Sequence, residues 1–235
     1  MFTIDYLFSN LESFFAKEIF LKELDGYNDI HYVWDILKRI QEGYIKKILI
    51  PEINGILEEG AFVGNDVYIG EGTIVETGAL IKGPTIIGKN CHIRQGAYIR
   101  GNVIIGDNCI AGHATEVVRA IFLPGAKAPH FNYVGDSILG TGVNLGAGTK
   151  LSNLKNTKSG VVIKYNDNIY ETGLKKFGAI LGDGCQTGCN AVLNPGTIMG
   201  PDCIVYATTS VRGVYPAKTI IKLRTKIETD ELREK

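Results

Sequence analysis

Residues 57–111 read LEEGAFVGNDVYIGEGTIVETGALIKGPTIIGKNCHIRQGAYIRGNVIIGDNCIA. An aliphatic or small apolar residue returns at every sixth position: Leu57, Val63, Ile69, Val75, Ile81, Ile87, Ile93, Ile99, Ile105 and Ala111, with the series continuing at Val117 and Leu123. Four places after each stands a small or β-branched residue: Ala61, Val67, Thr73, Ala79, Thr85, Cys91, Ala97, Val103, Cys109, Thr115 and Ile121. A period of six matches neither the 3.6 of a helix nor the 2 of a lone strand. It fits a parallel β-helix of hexapeptides, in which each repeat supplies one short strand and three repeats make a triangular coil. Gly, Asp and Asn in VGNDVY, IGEGTI, IGKNCH and IGDNCI fall at the corners, where the backbone needs angles that side chains disfavour.

Beyond this stretch the frame breaks near Pro124 to Tyr133 and resumes at Leu139, Leu145 and Leu151. It breaks again over 152–177, then returns in register at Leu181, Thr187, Leu193, Met199, Val205 and Val211. A break that resumes in register is an insertion projecting from the solenoid. VVIKY, the turn NDN and IYETG predict a hairpin within it, followed by Lys175 and Lys176. Residues 1–50 lack the period. Ser9 and Glu12 suggest a capping box before a helical stripe of Leu11, Phe14, Phe15, Ile19 and Leu24. A second helix is expected over 30–42, with Val33, Trp34, Leu37 and Ile40 on one face and Asn28 or Asp29 as its cap. These helices are expected to seal the open end of the first coil. The expected organisation is all-β: a helical cap over 1–50, a parallel β-helix over 51–215 with the insertion 152–177, and a tail over 216–235.

The chain has 235 residues, 29 of them Gly, and a formal net charge of zero. No basic surface points to nucleic acid or to a membrane. The N-terminus carries Asp5 and Glu12 and no basic start, so a signal peptide is not expected and a cytoplasmic location is the default. Cys91, Cys109, Cys185 and Cys203 fall at the small inward position and read as buried thiols; Cys189 falls outside that frame and should point outward.

Of the four histidines, His130 stands where the regular coil is interrupted, in PHFNYVGDS, followed by VNLGAGTKLSNL. His-x-x-Tyr-x-Gly-Asp followed by Asn-x-Gly-Ala-Gly-Thr resembles the acetyltransferase domain of the bifunctional N-acetylglucosamine-1-phosphate uridyltransferase/glucosamine-1-phosphate acetyltransferase family and its archaeal sugar-1-phosphate relatives. The resemblance covers most of residues 57–212 and is densest from Arg100 to Asn153. It implies a left-handed coil, a homotrimer, acetyl-CoA as co-substrate and an amino-sugar acceptor, with no metal required. The nucleotidyltransferase half has no counterpart in this sequence, so nucleotidyl transfer is not expected.

Carried over position by position, the resemblance makes His130 the general base, Glu116 a carboxylate that orients it or receives its charge, and Asn153 a neighbour of the acetyl group and amine. It makes Arg100 a phosphate grip and Tyr133 and Asn144 sugar- and phosphate-side ligands. Ala147, Cys189 and Ala207 become coenzyme A contacts. The family's second phosphate-gripping lysine is replaced by Val118, with Arg119 next door as the substitute cation. Lys164, Lys175 and Lys176 are the candidates for its loop lysine. Backbone N–H groups around Gly146 to Gly148 are expected to polarise the acetyl carbonyl. Two rival readings differ in class. A zinc enzyme of the γ-carbonic anhydrase type would need a third ligand beside His113 and His130. A non-catalytic assembly or regulatory protein would keep the pocket without turnover.

Overall fold

The computed structural model describes residues 1–20, 30–224 and 226–231. The first coil opens with strands Glu52–Ile53, Ile56–Leu57 and Phe62–Val63, one on each face of a triangular prism. Each pairs in parallel with the strand one coil later, and the pattern repeats into three parallel sheets of nine, nine and eight strands. We call them A, B and C in the order in which the chain visits them. The inward series and its small partners form one continuous core, with Ile69, Ile81, Ile93, Ile105, Leu145, Leu181 and Val205 fully buried. Each such aliphatic contributes about 1.5–3 kcal/mol by leaving water. Corner residues Asn90, Asn108 and Asn190 hold φ between 53° and 58°, the left-handed region that Asn tolerates best after Gly. Cys91, Cys109, Cys185 and Cys203 are buried in this core, and Cys189 is exposed.

The frame slips where the hexapeptide count does not show it. Ile105 pairs with Phe122, and Phe122 is in the core, whereas Leu123 packs outside sheet A. The residue count between Val117 and the next inward side chain is therefore one short. The loss falls at the corner Val118–Arg119, not at Pro124–Tyr133. A second loss follows at Gly135–Asp136, since Tyr133 pairs with Lys150 and Ile121 with Ile138. Both corners turn in fewer residues, and Arg119 and Asp136 each take φ of 46° to do so. The insertion leaves from the next corner of the same edge, Ser152–Asn153. Its hairpin pairs Val162–Tyr165 with Asn168–Glu171 as expected.

The described N-terminal residues do not cover the first coil. The middle residues of the sheet A strands, Ile86, Ile104, Ile121, Ile138, Ile180 and Ile198, point outward as a stripe along the prism. Trp34, Leu37, Ile40, Phe14 and Ile19 pack on that stripe, together with Val161, Ile163, Leu174 and Phe177 of the insertion. Burial of this apolar flank drives the segment there. Ile56 and Phe62 of the first coil stay 60% and 64% exposed. Instead of the long helix expected over 11–24, the described residues hold two short 3-10 turns, Leu11–Ser13 and Lys17–Ile19. Ser9 caps no helix; its N–H and hydroxyl donate to Asp183 Oδ2 at 2.7 and 2.8 Å. The second helix runs over Asp35–Gln41, with Asp35 accepting from the backbone of His31 and Tyr32. Leu24, Asn28 and Asp29 lie outside the described residues. At the other end, Ile220–Ile221 pairs with Ile204–Val205, so the coils run past the expected boundary at 215. No helix among the described residues is long and apolar enough to cross a membrane.

Candidate functional site

His130 ends the sheet B strand Lys127–His130, paired with Ile110–His113 so that His113 and His130 are direct partners. Its ring is exposed, while its backbone is fixed on both sides. The His130 N–H donates to Asn132 Oδ1 at 3.0 Å, and its carbonyl accepts from Gly148 N–H at 2.9 Å. Asn132 is buried at an inward position, and its Nδ2 donates to the Gly146 carbonyl at 2.8 Å. Neither Asn132 nor its role stood out in the sequence; its signal is a polar residue in a slot that elsewhere holds Ala or Thr.

The corner that follows His130 forms a column. Phe131 N–H bonds to the His113 carbonyl, Gly148 N–H to His130, Asn190 N–H to Ala147, and Thr208 N–H to Cys189. His130, Ala147, Cys189 and Ala207 therefore stack on successive coils along one edge, with adjacent strands about 4.7–4.9 Å apart. Within Gly146–Gly148, the Gly146 and Gly148 amides are engaged by Thr187 and His130. Ala147 N–H has no partner among the described residues.

Sheet C carries a polar face beside this edge. Tyr98, Glu116 and Tyr133 are cross-strand neighbours. Arg100 Nη1 lies 2.5 Å from Glu116 Oε1, and Lys82 Nζ donates to the Tyr98 hydroxyl at 3.0 Å. Glu116 thus pairs with Arg100, and no hydrogen bond joins it to His130 among the described residues. Burial pushes the Tyr133 phenol above its ordinary value, helped by Glu116 and Asp136, so it stays protonated at neutral pH. Asn144 is half-buried on sheet B between Lys127 and Gln186.

The far edge of sheet C holds a second column, Arg119, Asp136 and Asn153, each 17 residues from the next. Arg119 grips the fully buried Asp136 carboxylate through Nε at 2.6 Å and Nη2 at 2.8 Å. Asn153 Nδ2 donates to Asp136 at 2.5 Å, and Gln41 of the N-terminal segment at 2.9 Å. Val118 is buried beside it. The substitute cation is therefore committed to an internal carboxylate. Lys175 and Lys176 are exposed at the base of the insertion, where the Lys176 carbonyl accepts from Gln41. No contact joins either lysine, or Lys164, to His130, Arg100 or Tyr133 among the described residues. No cluster of three or more metal-ligating side chains occurs among those residues.

The model of the GMPPB C-terminal domain matches residues 81–229, which span both columns and every strand between them. The chain belongs to this family. Curated relatives extend the likeness upstream. The protein "Bifunctional protein GlmU" of Methanococcus vannielii is 35% identical over 197 residues, covering 83% of this chain and 47% of the relative. The GlmU of Methanococcus maripaludis strain C7 is 45% identical over 186 residues, covering 79% and 44%. A "bifunctional sugar-1-phosphate nucleotidylyltransferase/acetyltransferase" of Sulfurisphaera tokodaii is 35% identical over 95 residues, covering 40% and 24%. The chain spans about half the length of the GlmU relatives it matches.

Proposed function

We propose that this family member is an acetyl-CoA-dependent acetyltransferase acting on the amine of an amino sugar, glucosamine-1-phosphate or a close relative. The observation that carries the reading is the edge column: an exposed His130 heads a line of three backbone sites, Ala147, Cys189 and Ala207, beside a polar sheet face. Such a line suits the long, narrow pantetheine arm. The names of the relatives support an acetyltransferase and a sugar phosphate.

In the proposed reaction the acceptor amine attacks the thioester carbon, His130 takes the amine proton, and the coenzyme A thiol leaves with a proton. A histidine suits this because its ordinary pKa lies near neutrality. The free Ala147 N–H faces the same edge and would stabilise the oxyanion. Glu116 acts through Arg100, steadying the guanidinium that would meet the sugar phosphate, and not as the orienter of His130. With Val118 buried and Arg119 engaged, a phosphorylated acceptor would rest on Arg100 with Tyr133 and Asn144. On a left-handed β-helix of this kind the flat sheet faces favour a homotrimer with each site between subunits.

Thiol release from acetyl-CoA by the purified protein, with glucosamine-1-phosphate beside other amino sugars, tests the activity. His130→Ala should lower turnover at least 10²-fold while secondary structure and sedimentation stay as in the parent. Turnover within about tenfold of the parent would remove His130 as the base. Binding of acetyl-CoA with no release on any acceptor would favour a non-catalytic role. A monomer at micromolar concentration in sedimentation would count against the trimer.

A further inference from the structure

Asp136 is the acidic residue of the His-x-x-Tyr-x-Gly-Asp motif, yet the proposed chemistry leaves it without a role. It is fully buried and receives four hydrogen bonds: two from Arg119, one from Asn153 and one from Gln41. A carboxylate paired with a guanidinium can only accept, so the end of the Asn153 amide that faces it is the NH2 end. Gly135 keeps this corner open, because a Cβ there would lie 2.6 Å from Asn153 Nδ2 and 2.7 Å from Tyr133 Oη. With Nδ2 held on Asp136, Oδ1 is the end of the amide turned away from the carboxylate.

We propose that Asp136 is a positioning residue that fixes the Asn153 amide with Oδ1 outward, making Asn153 a selector for an acceptor bearing an N–H donor. The assignment rests on the acetyl-transfer reading. It also ties the N-terminal segment to the site, since Gln41 shares the same carboxylate. An ammonium or amine gives Oδ1 a donor, whereas an acceptor-only group in its place leaves Oδ1 facing a lone pair. A site built around one such polar group discriminates strongly against partners that leave it unpaired.

The test is a two-residue exchange, assayed with acetyl-CoA and glucosamine-1-phosphate. Asp136→Asn removes the acceptor that orients Asn153. Asn153→Asp sets two carboxylates against each other. The double variant Asp136→Asn/Asn153→Asp restores one donor facing one acceptor and still turns a carboxylate oxygen toward the ligand. We expect each single variant to lose at least tenfold in kcat, with the KM for acetyl-CoA changed less than threefold. The double variant should turn over at least tenfold faster than either single. A double variant no faster than the slower single overturns the assignment. Gln41→Leu, which removes one donor without touching Asn153, should keep turnover within twofold while lowering the melting temperature; a tenfold loss would show that the network acts only as scaffold. If Asp136→Asn does not fold, Asp136→Glu keeps the charge on a longer arm and should show the same kcat loss; parent-like kcat there would overturn the proposal. A parent protein without turnover on any acceptor would count against acetyl transfer alone. The pair is then decided by melting temperature: the double variant must melt above Asn153→Asp, and equal melting would sink it.

Discussion

Gly135 shows how one missing side chain holds the site open. With a Cβ at 2.6–2.9 Å from Asn153 and the Tyr133 ring, something must move, and the backbone on either side is fixed in the parallel ladder. Gly135→Ala should cost about 1–3 kcal/mol by overpacking and lower turnover further by displacing Asn153. Chemical denaturation beside thiol-release kinetics checks both, and parent-like stability with parent-like rate would mean that the corner relaxes freely. At this scale the sequence was partly legible. His130, Ala147, Cys189 and Ala207 sit at 17-, 18- or insertion-length steps, and the structure stacks them. Asp136 was visible only as a letter in a motif. Its part depends on Arg119, Gln41 and Asn153 arriving from three separate segments, and no local pattern encodes that meeting.

The elements follow from two periods laid over each other. The six-residue period builds the core, and every third repeat adds an outward isoleucine that builds the flank of sheet A. The second period is present in the sequence, at Ile86, Ile104, Ile121, Ile138, Ile180 and Ile198, but a strong six-residue signal hides it. The slip at Val118–Arg119 was hidden for a related reason: Phe122 and Leu123 are both apolar, so either satisfies the pattern, and only strand register chooses between them. Ile104→Lys should detach the N-terminal segment without disturbing the coils, because its side chain points away from the core. Trp34, the single tryptophan, is fully buried and stacked on Tyr32 at 4.5 Å, so its emission reports this docking. We expect a red-shifted Trp34 emission at a temperature where the β-sheet circular dichroism is intact. Simultaneous loss of the two signals would show that flank and prism melt as one unit.

Along the prism, parallel strand partners are 16, 17 or 18 residues apart except across the insertion, where Lys150 pairs with Val192, 42 residues on. Joining Asn153 directly to Ala179 would leave a coil of the same length as the two before it. A chain without residues 154–178 should therefore keep its parallel sheets and lose the packing of Val161, Ile163, Leu174 and Phe177 on the N-terminal segment. Circular dichroism with a parent-like β signal and a lowered melting temperature is the expected result; an unfolded product would mean that the excursion holds the prism together. At each end of the prism partly buried side chains close on the core, Ala61 and Val63 at the front and Tyr215 and Ile221 at the rear, and at the front Ile53, Ile56, Leu57 and Phe62 lie open beside strand edges that nothing pairs among the described residues. Such a front acts as a growing face: an added hexapeptide triplet would find its register, its interior and its hydrogen-bond partners already laid down. The coil is in this sense a ruler, which an added triplet would lengthen at the front without redrawing any mark behind it.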